Sequence, residues 1–346
     1  MRQLVTIQKI NNIKPIEGRD RVDQGEILGW TVIVGKGQFK NGDLVCYAET
    51  DSLFPKNEHW IDLEKFRYRI KMFKVNSPAG PVYGQGYCFA IEKLESIVGK
   101  QQWKEGQEIT NLLGVTKWEL PEDFNLGDSA GKFPTNLIPQ TDETRIQSVK
   151  GVLNELQGKP YYITSKIDGT SATFLINPDT ENFLACSRNN IRKHPNISGK
   201  KCVYWDIAEK YELEKILRNF PHIAIQGEIY GPNIQGNKLK VDTQKLAIFN
   251  LWNLKKREYV NYEESLGYIN RFKEISENIE FVPIMETGFE FNYSFEDILK
   301  KSLYEYPSGY PAEGIVIRPQ VEMYSNRLKG RLSFKCINPE FSCKEK

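Results

Sequence analysis

The sequence predicts an α+β protein in two parts, a small N-terminal β module followed by a larger domain of sheets with flanking helices. Three observations carry that expectation. The chain has 346 residues, beyond the roughly 250–300 at which a single hydrophobic core stops growing. Its first hundred residues read as short strands separated by glycine turns. After a segment rich in Gly, Pro, Asn and Asp, strands and helices alternate to the end.

The N-terminal strands are expected at 4–7, 25–28, 30–34 and 43–47, with turn chemistry at Gly35-Lys36-Gly37 and Asn41-Gly42-Asp43. Strands this short suit a small barrel, and an OB-like β-barrel module over residues 1–120 is the natural candidate. Such barrels either bind nucleic acid through one face or serve as spacers. Lys36, Lys40 and Lys56 are its basic loop candidates. Residues 121–140 read as a linker and 141–346 as the second domain. There Ile146, Val149, Val152, Leu153 and Leu156 have helical spacing. Strands are expected at 161–167, 172–176, 223–230, 246–252, 314–318 and 332–337, and helices at 204–219, 263–276 and 295–302.

Composition narrows the class. Apolar residues make up 40% and charged residues 27% of the chain, as in ordinary globular proteins. Lys+Arg 47 against Asp+Glu 45 leaves a net charge of +2, so a nucleic-acid surface must be a local patch. Six cysteines without a Cys-x-x-Cys pair, and three histidines without ligand spacing, argue against a zinc site or disulfide framework. With no signal-peptide pattern and no apolar run of membrane length, a cytoplasmic location is expected.

The chemistry centres on Lys166, which opens Lys166-Ile167-Asp168-Gly169 at the end of an apolar strand. Asp168 falls on the same face if the strand continues that far. Glu228 interrupts the apolar strand Ile225-Gln226-Gly227-Glu228-Ile229, and Glu313 precedes Gly314-Ile315-Val316-Ile317-Arg318. Acids on strands beside a lysine suit a hydrated Mg²⁺ or Mn²⁺ ion. Such a cation lowers the lysine pKa, leaving a neutral amine able to attack. Arg145, Arg188 and Lys335 are the candidate phosphate contacts. Phe249 and Val316 could pack against a base. Taken singly, each has a plainer reading: a surface lysine before an Asp-Gly turn, salt-bridged carboxylates, solvated arginines, a core phenylalanine. Their joint occurrence in order sets those readings aside.

That ordered set is Lys166-x-Asp168-Gly169, Ser187-Arg188, Gly227-Glu228-x-x-Gly231, Phe249, Glu313-Gly314-x-Val316 and Ser333-Phe334-Lys335. It resembles motifs I, Ia, III, IIIa, IV and V of the covalent nucleotidyltransferases, the superfamily of DNA ligases, RNA ligases and mRNA capping enzymes. Thr141-Asp142-Glu143-Thr144-Arg145-Ile146-Gln147, Glu228-Ile229-Tyr230-Gly231-Pro232-Asn233-Ile234-Gln235-Gly236-Asn237 and Arg331-Leu332-Ser333-Phe334-Lys335 resemble the ATP-dependent RNA ligases that carry an N-terminal OB-like module. The resemblance implies a C-terminal nucleotidyltransferase domain of the ATP-grasp-like ligase type and three-step ligation. ATP adenylates Lys166, AMP passes to an RNA 5′-phosphate, and a 3′-hydroxyl displaces AMP to seal the strand. By the same resemblance Asp168, Glu228 and Glu313 hold the waters of the metal. Arg145, Arg188 and Lys335 touch phosphates, with Ser165 and Ile167 beside the nucleotide. Phe249 and Val316 enclose the adenine.

Two departures mark this chain. Many ligases carry two lysines one residue apart in motif V; here Ile337 takes the second place, so Lys329 or Arg331 is the candidate second cation. Ser171 stands where DNA ligases and capping enzymes commonly have arginine, which favours RNA ligase. A DNA ligase or GTP-using capping enzyme is a second reading, and a catalytically silent nucleic-acid-binding scaffold a third. Three carboxylates kept beside a lysine argue against the silent scaffold, because they repel one another.

Overall fold

The computed structural model describes residues 3–119 and 128–343. The chain divides into two compact units, Met1–Pro121 with Gln147–Lys150, and Glu122–Ile146 with Gly151–Glu345. In the first unit, Val5–Lys9, Leu44–Ala48 and Tyr87–Ala90 form an antiparallel sheet. Asn11–Pro15, Val22–Ile27 and Trp30–Gly35 form another. Burial alternates along Val22–Ile27 and Trp30–Gly35, the pattern of strands that cover a core with one face. The core gathers Val5, Ile7, Phe54, Trp60, Phe89 and Leu94. The turn of 3₁₀ helix at Glu58–Phe66 and the α-helix Ile91–Val98 were not expected among the strands. Trp60 in the former packs on Phe54 with ring centroids 4.5 Å apart.

The second unit holds two sheets. The larger runs Ser129–Lys132, Asn190–Arg192, Phe183–Ser187, Thr170–Ile176, Ile223–Tyr230, Lys245–Asn253, Glu258–Tyr259, and every adjacent pair is antiparallel. The helices Val203–Lys210, Leu213–Asn219 and Tyr262–Lys273 cover one face. Phe174 and Ile225 of the sheet pack there with Ile216, Leu217 and Phe272. The smaller sheet runs Thr144–Arg145, Phe334–Ile337, Gly314–Pro319, Tyr161–Ser165, Ile284–Gly288, with only the first pair parallel.

Several expectations shift against this frame. Within 121–140, Ser129–Lys132 is a strand, and Phe133 and Ile138 are buried in the second unit; residues 120–127 lie outside the described part. The helix expected from Ile146 to Leu156 is two 3₁₀ turns, Ile146–Ser148 and Lys150–Val152, and one α-turn, Leu153–Leu156. Gly151, a poor helix former, sits in its middle. A Cβ there would lie 2.8 Å from the Arg327 guanidinium. The helix expected at 204–219 breaks into two because Glu212 adopts the left-handed conformation. Tyr161–Ser165 ends before Lys166, so Asp168 is not on a continuing strand.

Two motif glycines are steric necessities. A Cβ on Gly169 would lie 2.3 Å from the Ile229 carbonyl oxygen. One on Gly314, whose φ is +140°, would lie 2.1 Å from that of Cys336. Gly267, inside the helix Tyr262–Lys273, meets nothing within 4 Å. In thermal unfolding Gly314→Ala should therefore cost on the order of 3 kcal/mol or more, while Gly267→Ala should add about 0.5–1 kcal/mol. Equal effects would mean that the close backbone approach at Gly314 does not constrain the fold.

Candidate active site

Side chains from both sheets of the second unit line one cleft of about 500 Å³, a volume that suits a bound small molecule such as a nucleotide. Lys166, Asp168, Glu228, Glu313, Arg145, Arg188, Phe249, Val316, Lys335, Ser165 and Ile167 all border it. Local structure explains how. Lys166 leaves the strand Tyr161–Ser165, its N–H still bonded to the Gly314 carbonyl at 2.8 Å. Glu228 lies on the sheet face opposite the helices, since Ile225 and Ile229 point into the helical core. Its cross-strand neighbour is Ser171. Gln226 pairs with Asn250 and Gly227 with Ile248, which leaves Phe249 as an extra residue in a bulge. A bulge re-aims a side chain, and this one turns the Phe249 ring towards the cleft. In the smaller sheet Thr164, Val316, Lys335 and Arg145 form one cross-strand row.

The electrostatics follow from crowding. Lys166 Nζ donates to Glu313 Oε2 at 2.6 Å, with both side chains about one-fifth exposed. Burial works to lower the Lys166 pKa, but Glu313, Glu228 and Asp168 outweigh it and hold the lysine above its ordinary value as an ammonium. Burial, reinforced by Glu313 and Asp168, pushes Glu228 up to about 8. Lys335 is driven the other way, to about 8, by burial and by the neighbouring Lys166 and Arg145 charges. Asp142 lies between cations, 2.9 Å from Arg188 Nη2 and 3.7 Å from Lys335 Nζ. A carboxylate held there marks a position where an anion is electrostatically favoured.

Three residues of the site carried no signal in the sequence. Lys238 places Nζ 3.0 Å from Asp168 Oδ2, both almost buried, and its ammonium lies 4.2 Å from the Phe341 ring centroid. Asp168 is thus held by a lysine seventy residues away and does not simply share a strand face with Lys166. Arg318 is buried; it donates to Glu143 Oε1 at 2.8 Å, to Ser333 Oγ at 2.8 Å and to the bulged Phe249 carbonyl at 3.3 Å. The Tyr306 hydroxyl donates to the Lys166 carbonyl at 2.6 Å. Only a fold that brings distant segments together produces these contacts.

The second cation of motif V is expected at Lys329 or Arg331. Neither Lys329 nor Arg331 borders the cleft. Lys329 sits in a tight turn with φ 53°. Arg331 is committed to Glu322, to Asn250 Oδ1 at 2.8 Å and to the Tyr259 ring. Among the described residues no three His, Cys, Asp or Glu side chains form a ready ligand group for a metal. The three carboxylates instead offer hard oxygens around shared space. Their crowding, seen in the raised Glu228, fits a divalent cation that keeps most of its own waters.

Fold and site together define a nucleotidyltransferase-type ligase domain joined to a β module. The family model described as RNA ligase matches residues 159–337, and one described as an OB-fold domain matches residues 4–75. The chain belongs to the RNA ligase family. Among solved structures it is similar to Naegleria gruberi RNA ligase in three forms. A lysine-to-alanine mutant with ATP and Mn is 26% identical, with TM-score 0.76 over 99% of this chain and 100% of that one. A lysine-to-methionine mutant with AMP and Mn is 27% identical, with TM-score 0.75 over 99% of each chain. The form with PPi is 28% identical, with TM-score 0.73 over 98% of this chain and 97% of that one. No curated protein sequence matches. No helix among the described residues is long and apolar enough to cross a membrane.

The Glu143–Arg318 pair yields a stability test. Burial alone would raise the Glu143 pKa, but Arg318 and Arg331 hold it down to about 2, against about 4.3 in an unfolded chain. Its contribution, on the order of 3 kcal/mol, is complete above pH 4.3 and is lost as the pH falls towards 2. The stability gap between the wild type and Glu143→Gln, read from urea midpoints, should shrink by about half between pH 6 and pH 3. A gap independent of pH would contradict the ion pair.

Proposed function

We propose that the protein is an ATP-dependent polynucleotide ligase that joins RNA 3′-hydroxyl and 5′-phosphate ends through a lysyl-AMP on Lys166. The observation that carries this reading is the Lys166 amine held 2.6 Å from Glu313 in a cleft lined by Arg145, Arg188 and Lys335. Lys166 is assigned as the nucleophile: its Nζ bonds to the α-phosphorus of ATP while the bond to pyrophosphate breaks. The Nζ proton has Glu313 Oε2 within hydrogen-bonding distance to receive it. Arg145, Arg188 and Lys335 are assigned to the phosphates, and entry of the anion displaces the exposed Asp142 from its two cations. Phe249 and Val316 are assigned to the two faces of adenine, with Ser165 and Ile167 beside the nucleotide. Asp168, Glu228 and Glu313 would hold the waters of Mg²⁺ or Mn²⁺. When bound, that ion supplies positive charge that favours the neutral amine and offsets charge on the phosphates. AMP then passes to the RNA 5′-phosphate, and the 3′-hydroxyl displaces it. Residues 1–120 are assigned as the OB-like module and 141–346 as the catalytic domain, to whose larger sheet the strand Ser129–Lys132 adds an edge.

The direct test is to mix the protein with ATP labelled on its α-phosphate and with Mg²⁺ or Mn²⁺, then separate it under denaturing conditions. Label should stay with the wild-type chain and be absent from Lys166→Ala; label retained by the variant would refute the assignment. Removing one adenine contact, Phe249→Ala, should raise KM for ATP by about 2- to 10-fold, the worth of one aromatic contact, and change kcat less. A fall in kcat alone would place Phe249 elsewhere in the reaction.

A further inference from the structure

We propose that Tyr306, with Tyr304, forms a pair of positioning residues whose hydroxyls fix the backbone of Lys166 relative to that of Glu313; the inference rests on Lys166 being the adenylated nucleophile. The regular pairing of Tyr161–Ser165 with Gly314–Pro319 ends at Ser165 opposite Ile315. Beyond that point Lys166–Asp168 and Glu313 carry backbone groups that the ladder leaves largely unserved. The Tyr306 hydroxyl serves three of them. It donates to the Lys166 carbonyl at 2.6 Å and accepts from the Asp168 and Glu313 N–H groups, each at 3.1 Å. Tyr306 is 4% exposed, so bulk water has little access to replace it. Tyr304, two residues earlier, donates to the Gly314 carbonyl at 3.1 Å and therefore accepts from Ser165 Oγ at 2.6 Å.

The platform that holds these phenols is itself pinned. Tyr306 N–H bonds to the Tyr310 carbonyl and Ala312 N–H to the Tyr304 carbonyl, both at 2.8 Å. The segment therefore presents both hydroxyls, from a span of three residues, to the junction where the lysine loop and the Glu313 strand part. The 2.6 Å contact between Lys166 Nζ and Glu313 Oε2 depends on that junction. Displacements on the order of 1 Å in such a constellation cost about 100-fold in rate. Tyr306→Phe keeps the ring in the core but removes a donor from one carbonyl and an acceptor from two N–H groups.

The test measures four variants beside the wild type: Tyr306→Phe, Tyr304→Phe, Tyr161→Phe and Lys166→Ala. Tyr161 is the control, because its hydroxyl also bonds a partner, but that partner is Glu286 and not a backbone group of the lysine loop or of Glu313. The readouts are single-turnover adenylation at saturating ATP, KM for ATP, sealing of RNA already adenylated at its 5′-end, and thermal midpoint. Tyr306→Phe should slow adenylation by about 10- to 100-fold while KM changes less than about 3-fold, and sealing of pre-adenylated RNA should fall far less. Tyr304→Phe should show the same pattern more weakly, which keeps the proposal open to test should Tyr306→Phe fold poorly. Tyr161→Phe should alter the thermal midpoint alone. Adenylation within about 2-fold of wild type in both Tyr306→Phe and Tyr304→Phe, or an equal loss in both reactions that tracks the thermal midpoint, would overturn the positioning role. Label on Lys166→Ala would instead overturn the nucleophile assignment itself, a separate outcome.

Discussion

The second unit is organised around the cost of placing three carboxylates and several cations in one partly buried cleft. Like charges at this separation cannot all remain ionised in a poorly solvated space without compensation. The structure compensates by specific pairing: Lys166 with Glu313, Lys238 with Asp168, and Arg188 and Lys335 with Asp142. Glu228, pushed up to about 8, and Lys335, pushed down to about 8, record what compensation remains undone. That residual imbalance is chemically useful. A cleft whose acids are crowded favours a divalent cation, and one whose lysines are crowded favours a polyanion. ATP with its metal brings both charges at once.

Backbone geometry makes the crowding possible. Three of the contributing residues sit where regular pairing stops or is interrupted: Lys166 just past a strand end, Glu313 just before a strand start, Phe249 in a bulge. The glycines beside them have a shared cause, since Gly169 and Gly314 let two chains approach more closely than any Cβ would permit. The buried Arg318 bonds Glu143, Ser333 and the Phe249 carbonyl, tying the row of the smaller sheet to the bulge of the larger. The result is a hydrogen-bonded layer around the cleft. Its hydrogen bonds come from residues that need not touch a substrate, and Tyr306 is the clearest of these.

Much of this was legible in the sequence. Near-continuous apolar runs gave the strands at 223–230 and 314–318 almost to the residue, and the helix expected at 295–302 is present as Phe295–Ser302. Helical spacing misled where local backbone chemistry opposed it, at Gly151 and at Glu212. The strands Phe183–Ser187 and Ile284–Gly288 carry only short apolar runs, four residues in the first and two in the second, and both are held by pairing with neighbours. The helix Ile91–Val98 was missed inside a run read as strands.

The sequence by itself determined the family-like order of the motifs, the residue types that crowd the cleft and the glycines between them, because these are local patterns with local physical causes. Only the tertiary structure decided the partners. Lys238 reaches Asp168, Arg318 reaches Glu143, and Tyr306 reaches Lys166, Asp168 and Glu313 across separations that no periodicity encodes. It also leaves Lys329 and Arg331 off the lining of the cleft. The physical reason is the same in each case. Charge pairing and buried hydrogen bonding are set by distance in space, which side-chain sequence constrains only after the sheets have paired and the bulge has formed.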